Sequence, residues 1–392
     1  MIQQILAITA MNLRALPQRI GASSVIVISI AGVVAVLVSV LAMAVGFRET
    51  VARSGRADRA LILRGGSQTE LSSTLARDGV LTILDAPGVK HDADGKPVGE
   101  AEAMVIVSLP AKVDNSEGNV TFRGVGPKVM TLRPEAHLTQ GRMFASAVRE
   151  VIVGDAAQKQ FKGLELGSRI AFRDSDWTVV GIFESGGDSH ESEVWADSET
   201  LLSAYRRNLF QSVTVMLDSP SDFDRFKDAL TTNPQLTVDV KRETDYFATL
   251  SKQINDILFF FAYFVGSIMA VGALFGALNA MYTAVSARGQ EIATLRAIGF
   301  GALPVVVSVF AEALLLSLLG GVIGSLLAWG FFNGNAINTL SGNFTQLVFR
   351  LTVSPGLLAL GITWACAIGV VGGLFPAIRA ARAPVIEALR AN

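Results

Sequence analysis

The chain has 392 residues, of which 51% are apolar and only 17% charged, with one cysteine and a formal net charge of −1. A weakly acidic balance gives no electrostatic footprint for nucleic acid, and Cys366 alone excludes an intrachain disulfide framework. The mean hydropathy of +0.45 is an average over two unlike parts. Residues 48–256 carry 25 Lys+Arg and 31 Asp+Glu, an ordinary soluble composition. The rest holds only eight basic and three acidic residues, and it contains four long uncharged stretches.

Residues 1–19 place Ile2, Ile5, Leu6 and Leu13 near one helical face before Pro17, the pattern of a cytoplasmic interfacial helix. A disordered leader is the alternative. The first uncharged stretch, 20–47, is a transmembrane helix; a bilayer core of roughly 30 Å needs about 20 apolar residues. Ala42-Met43-Ala44 resembles a signal-peptide cleavage site, but the apolar run before it is too long for a signal sequence, so an uncleaved anchor is expected. The second, third and fourth spans are expected at 257–285, 302–333 and 353–376, with a short outside loop at 334–352. The fold class is therefore a membrane α-helical chain in a 1+3 layout, with an α+β extracytoplasmic domain, 48–256, between the first two spans. Four crossings put Arg14, Arg19, Arg288, Arg296, Arg379, Arg382 and Arg390 on one side. The excess of Lys and Arg on cytoplasmic loops makes both termini cytoplasmic and the large domain outside, in a cell inner membrane.

Within 48–256, the polar ends 48–59 and 242–256 are expected to extend the first two spans as stalk segments. Strands are expected at 60–63, 103–109, 212–217 and 236–240, and helices at 70–76 and 223–230. These form two β-α-β units closing a split α/β lobe around a β-rich insertion at about 126–209. The insertion's strands are expected at 151–153, 169–172, 177–183 and 193–195, with Ser185-Gly186-Gly187-Asp188 as a flexible loop. Chemistry-bearing motifs are weak here. Asp92-Ala93-Asp94-Gly95 begins like a calcium loop but lacks the closing Glu, and a solvated turn explains it better. His91, His137 and His190 have no metal-ligand spacing. Neither a phosphate loop nor a Gly-x-Ser-x-Gly elbow occurs, so no catalytic, cofactor or metal residue is assigned and the chain is not expected to be an enzyme.

Residues 286–301 form a short cytoplasmic helix in which Arg288 and Glu291, three apart, can pair, and Ile292, Leu295 and Ile298 make an apolar edge. A turn whose charges only face water is the alternative. Gly272/Gly276, Gly320/Gly324 and Gly369/Gly373 space small residues for close helix packing, within or between protomers. Glu312, the one charge inside a span, should face other helices or lie near the cytoplasmic interface; a proton relay would want partner carboxylates or histidines. After Phe375-Pro376 ends the last helix, 377–392 is a basic cytoplasmic tail.

Arg288-Gly-Gln-Glu291-Ile-Ala-Thr-Leu-Arg296-Ala-Ile-Gly299, the Glu312-Ala-Leu-Leu-Leu and Gly320-Gly321-Val-Ile-Gly324 runs, and the tail Phe375-Pro376 to Arg390 resemble the MacB/FtsX-like permeases of ABC transporters, the DevC-like branch above all. Outside, Arg149-Glu-Val-Ile-Val-Gly154 and Trp177-Thr-Val-Val-Gly181 resemble core strands of that family's extracytoplasmic domain. The resemblance implies a dimeric permease with ABC ATPase subunits bound below it, ATP and Mg belonging to the ATPase. Arg288, Glu291 and Arg296 would then be ATPase-coupling residues, and the stalk would carry ATPase closure outward as movement. With about 19 residues before the first span, the ATPase is expected on a separate chain. The leading function is export of a lipid, glycolipid or other amphiphile with a periplasmic adaptor protein, among membrane lipids. Lipoprotein release, or regulation of cell-wall hydrolases without transport, are the alternatives.

Overall fold

The computed structural model describes residues 2–15, 20–340 and 345–382. In chain order its helices are α1 (Ile2–Ala15), α2 (Ile20–Arg53), α3 (Arg77–Leu84), α4 (Val129–Leu132), α5 (Asp155–Gln160), α6 (Ser198–Ala204), α7 (Phe223–Thr231), α8 (Glu243–Ala287), α9 (Gly289–Ala297), α10 (Ala302–Phe332) and α11 (Pro355–Arg382). The strands are β1 (Arg59–Arg64), β2 (Gly99–Pro110), β3 (Glu117–Val125), β4 (His137–Gly141), β5 (Glu150–Gly154), β6 (Arg169–Phe172), β7 (Ser175–Glu184), β8 (Glu193–Asp197), β9 (Ser212–Met216), β10 (Val238–Arg242), and β11 (Ala336–Leu340) with β12 (Gln346–Arg350). Two compact units result: a helical one of residues 1–45, 257–335 and 351–392, and a mixed one of residues 46–256 and 336–350.

Among the described residues, four helices (within α2, α8, α10 and α11) are long and apolar enough to cross a membrane. Glycine lets three of them approach. A Cβ at Gly324 would run into the Ala31 carbonyl of α2, and one at Gly320 would lie 2.9 Å from the Val27 carbonyl. Gly369 and Gly373 do the same for α11 against Ser317 and Ala313 of α10. Gly272 faces open space and Gly276 meets only Ser29 Oγ at 3.9 Å, so this pair packs no helix of its own protomer tightly. Pro376 does not end the last helix, which continues to Arg382. The missing N–H of Pro376 forgoes one backbone bond within the helix.

The mixed unit is organised by one ten-stranded sheet, in the order β10-β1-β9-β2-β3-β8-β5-β7-β4 with β6 on β7. Its first four strands, with α3 and α7 as crossovers, form a split β-α-β lobe. In α7, Phe223, Phe226 and Leu230 recur at helical spacing and are buried. Strand β2 joins the lobes: 99–102 pair with β9, while 103–110 pair with β3. The segment 70–76 is not the expected helix. Only a 3₁₀ turn, Glu70–Ser72, forms before Ser73 turns extended, and the helix of this crossover is α3. The loop at 185–188 is held rather than loose: the Ser185 and Gly187 N–H groups both donate to Glu191, and Ser185 Oγ donates to Asp188. The expected loop between the last two spans contains the antiparallel hairpin β11–β12, whose Leu347 and Phe349 are buried. Phe349 meets Phe47 edge to face at 5.6 Å, and Val348 N–H donates to Ser192.

Candidate functional site

Two places concentrate buried charge. In the helical unit, α8 stops because Arg288 leaves helical geometry (φ −99°, ψ 8°). Its backbone bonds survive the turn: its N–H reaches Val285, and its carbonyl accepts from Ile292 at the first turn of α9. Beyond α9, Gly299 at φ +102° supplies a left-handed residue open to glycine, and Gly301 caps α10 in an extended conformation. Pro304 then sits in the first turn of α10, where its missing N–H has no intrahelical partner to lose.

Helix α9 buries Ile292 and Ala293 and exposes Gln290, Glu291, Thr294 and Ala297; Arg296 is half-buried. Arg288, expected among the exposed charges and beside Glu291, is instead only 4% exposed. Its guanidinium forks onto Glu312 of α10, Nη1 to Oε2 and Nη2 to Oε1, both at 2.9 Å. Neither charge tolerates burial alone, and at the head of α9 the guanidinium reaches the one carboxylate within the third span. The pair lines a cleft of about 450 Å³ whose apolar walls include Ile8 and Met11 of α1, Met281, Ile292 and Val309. The sequence singled out both residues but not their pairing; their 24-residue separation carries no periodic signal.

The second place is in the mixed unit and escaped sequence reasoning. Alternation along the strands puts Ile62, Val105, Phe122, Val194 and Val213 in one apolar core. The opposite face is buried too, and it carries charge. Arg123 of β3 donates to Glu193 at 2.8 Å through Nε and Nη2, and from Nη1 to Glu70 and Glu102 at 2.7 Å. Arg133, just after α4, pairs with Glu102 at 3.0 Å and approaches Glu243 at 3.7 Å. Arg59 pairs with Glu243 and Glu135. Glu243 is the first residue of α8, and its Oε2 accepts the backbone N–H of Arg56, just past the end of α2. Ser54, beside that end, accepts from the Ser189 N–H at 2.9 Å. One buried network therefore ties together the start of α8, the end of α2 and both lobes.

Its electrostatics follow from burial competing with neighbours. Burial pushes Glu102 up, but Arg133 and Arg123 outweigh it and hold the carboxyl down at about 2. Arg123 likewise draws Glu193 below the usual carboxylate range against its burial. Glu100, two positions before Glu102 on the same face of β2, is pushed up to about 7 by burial and by the charge of Glu102, against the N–H groups of Lys128 and Gly126. Burial would lower His190, but Asp188, 3.1 Å from its Nδ1, raises it. The signal available beforehand was charge inside strand alternation: Glu100 and Glu102, Arg123 and Glu193 each interrupt apolar runs. Such positions read equally as a solvated face. Beside the network, a cleft of about 530 Å³ has Arg123 and Glu193 on its floor and Phe47, Phe247, Leu250 and Leu347 on its walls. Among the described residues no three His, Cys, Asp or Glu side chains are grouped to hold a metal.

Residues 22–233 match the MacB-like periplasmic core domain, more than half of the chain, and residues 263–385 match the FtsX-like permease C-terminal domain. A macrolide export ATP-binding/permease protein MacB of Bdellovibrio bacteriovorus is 23% identical over 91% of this chain and 57% of its own length. The ABC transporter permease YknZ of Bacillus subtilis is 24% identical over 83% of each chain. The solved periplasmic region of MacB from Actinobacillus actinomycetemcomitans matches at a TM-score of 0.38 and 14% identity, covering 52% of this chain and 94% of that one. The chain thus spans about half the length of the MacB proteins it matches. With four helices able to span a bilayer and both domain matches in this order, the chain belongs to the MacB/FtsX-like permease family of ABC transporters.

Proposed function

We propose that this permease turns closure of a separate ABC ATPase into movement of its large domain, and that no cargo passes between its spans. The observation carrying this reading is the buried network that fastens Glu243 of α8, the chain leaving α2 and both lobes of the sheet into one body. A body held through buried charge at both helical ends suits a lever. The apolar composition of the spans agrees: polar cargo between them would leave hydrogen bonds unmet at several kcal/mol per group. In this reading the permease is a dimer in the inner membrane with both termini cytoplasmic and the large domain periplasmic. It works with an adaptor protein to export a lipid, glycolipid or other amphiphile. Helix α9 docks the ATPase through exposed Glu291 and half-exposed Arg296, and Arg288 acts from beneath.

Glu291→Lys tests the docking. The side chain is exposed, so the fold should hold, while a charge pair buried in an interface and broken from one side costs on the order of 2–5 kcal/mol of binding. The expected result is loss of ATPase co-purification and of permease-stimulated ATP turnover. Wild-type values for both would mean that the exposed charges of α9 only face water and do not dock the ATPase.

A further inference from the structure

We propose that the Arg288–Glu312 pair is a positioning joint: it fixes the head of α9 to α10, so that a push on α9 is delivered to the third span. This rests on the reading of α9 as the ATPase-docking helix. Three observations carry it. Arg288 is the residue at which the chain leaves helical geometry between α8 and α9, so that only two backbone bonds, its N–H to Val285 and its carbonyl to Ile292, carry the turn. At the far end the link to α10 is the short segment 298–301, with Gly299 in a left-handed conformation and Gly301 extended. Between these two soft points the bidentate fork, two bonds of 2.9 Å in a fixed plane, sets both the distance and the rotation of α9 against α10.

The pair's surroundings argue against a role in stability alone. Met281, Val285, Ile292, Val305 and Val309 share its cleft, so two apolar side chains would pack there. Buried ion pairs replaced by well-packed apolar residues are commonly neutral or better for stability, whereas breaking one side is costly. What an apolar pair cannot supply is a directional bond. Ile8 and Met11 of α1 line the same cleft, and Arg288 and Glu312 are each only 4% exposed, which limits the competition of water for the fork. Arg288 and Glu312 thus act through α9 and α10 rather than by touching the ATPase.

The test uses the full permease reconstituted with its ATPase and three variants: R288M/E312L, the swap R288E/E312R, and E291K as a marker of docking. Melting temperature in detergent, ATPase affinity, and ATP turnover stimulated by the permease are measured on each. R288M/E312L should melt within a few degrees of wild type and bind the ATPase within about threefold, yet lose stimulated turnover at least tenfold. The swap should recover at least a third of that turnover. A folded R288M/E312L with stimulation within threefold of wild type makes the pair mere filling and overturns the proposal. So does a swap that folds and binds without stimulation. An apolar variant that cannot fold makes the pair an element of stability and overturns it as well. Failure of the docking reading looks different: E291K would then keep wild-type ATPase affinity, whatever the pair variants do.

Discussion

Replacing Arg123 by Met removes one guanidinium from among three buried carboxylates, Glu70, Glu102 and Glu193. Breaking a buried pair from one side costs about 3–5 kcal/mol, against a total domain stability of roughly 5–15 kcal/mol. Glu102 keeps Arg133 and Glu193 keeps the Trp195 Nε1–H, so a loss of about 4 kcal/mol at pH 7 is expected rather than collapse. The pH dependence is the sharper reading. With Arg123 present, Glu102 sits near 2 and Glu193 is also lowered. Their stabilisation is complete above the unfolded value near 4.5 and is lost as pH falls through the folded values; for Glu102 alone it amounts to about 3 kcal/mol. With Arg123 gone, the stranded carboxylates bind protons more tightly folded than unfolded, so at these carboxylates acid should help the variant and not the wild type.

Urea unfolding of the full chain in detergent, followed by tryptophan fluorescence at several pH values, measures this; Trp195 itself donates to Glu193 and reports on the cluster. The deficit of Arg123→Met should shrink as pH falls from 7 to 5. A deficit under about 1 kcal/mol, or one unchanged over that range, would refute the claim that these buried charges depend on one another.

Glu100, held at about 7, binds its proton more tightly in the folded state, so its term is fully favourable below about 4.5 and is lost as pH rises through 7. Glu100→Gln should remove that fall, about 3 kcal/mol by the same conversion, from the pH profile of the urea midpoint; an unchanged profile would contradict the assignment. Gly324→Ala places a Cβ against the Ala31 carbonyl and should lower stability by about 1–3 kcal/mol, while Gly272→Ala, facing open space, should leave the melting temperature of the protomer unchanged. Equal melting temperatures for the two would contradict the packing. In a Cys366→Ala background, a cysteine at exposed Val113 should react with an impermeant thiol reagent on intact cells, and one at exposed Ala297 should not. The reverse pattern would invert the topology.

The spans were legible because a bilayer demands long apolar helices, and the strands of the core because alternation with β-branched residues marks them. Composition hid the rest. Glu70–Ala76 has helix-compatible residues, but Ser72 and Ser73 compete for the backbone, and Ser73 Oγ accepts the Arg64 N–H instead. The hairpin at 336–350 sits in a polar stretch between two spans, where a loop is the default; its packing against Phe47 and Ser192 depends on residues far away in sequence. The ion network failed to show for the same reason. A charge alternating with apolar residues signals a solvated face unless something covers it, and here α4 and the start of α8 bring Arg133 and Glu243 to it. Arg288 stands in a short cytoplasmic helix three residues from Glu291, where sequence points to an exposed pair, yet its partner Glu312 lies 24 residues on.

The central claim is that ATP closure moves the large domain. Spin labels on a cysteine at Val113, 96% exposed and so free of packing, measure it across two protomers of the reconstituted complex. The account predicts a shift of several ångströms in the label–label distance between the nucleotide-free and ATP-trapped states, lost in Glu291→Lys. An unchanged distance in a complex that hydrolyses ATP and exports its cargo would contradict it.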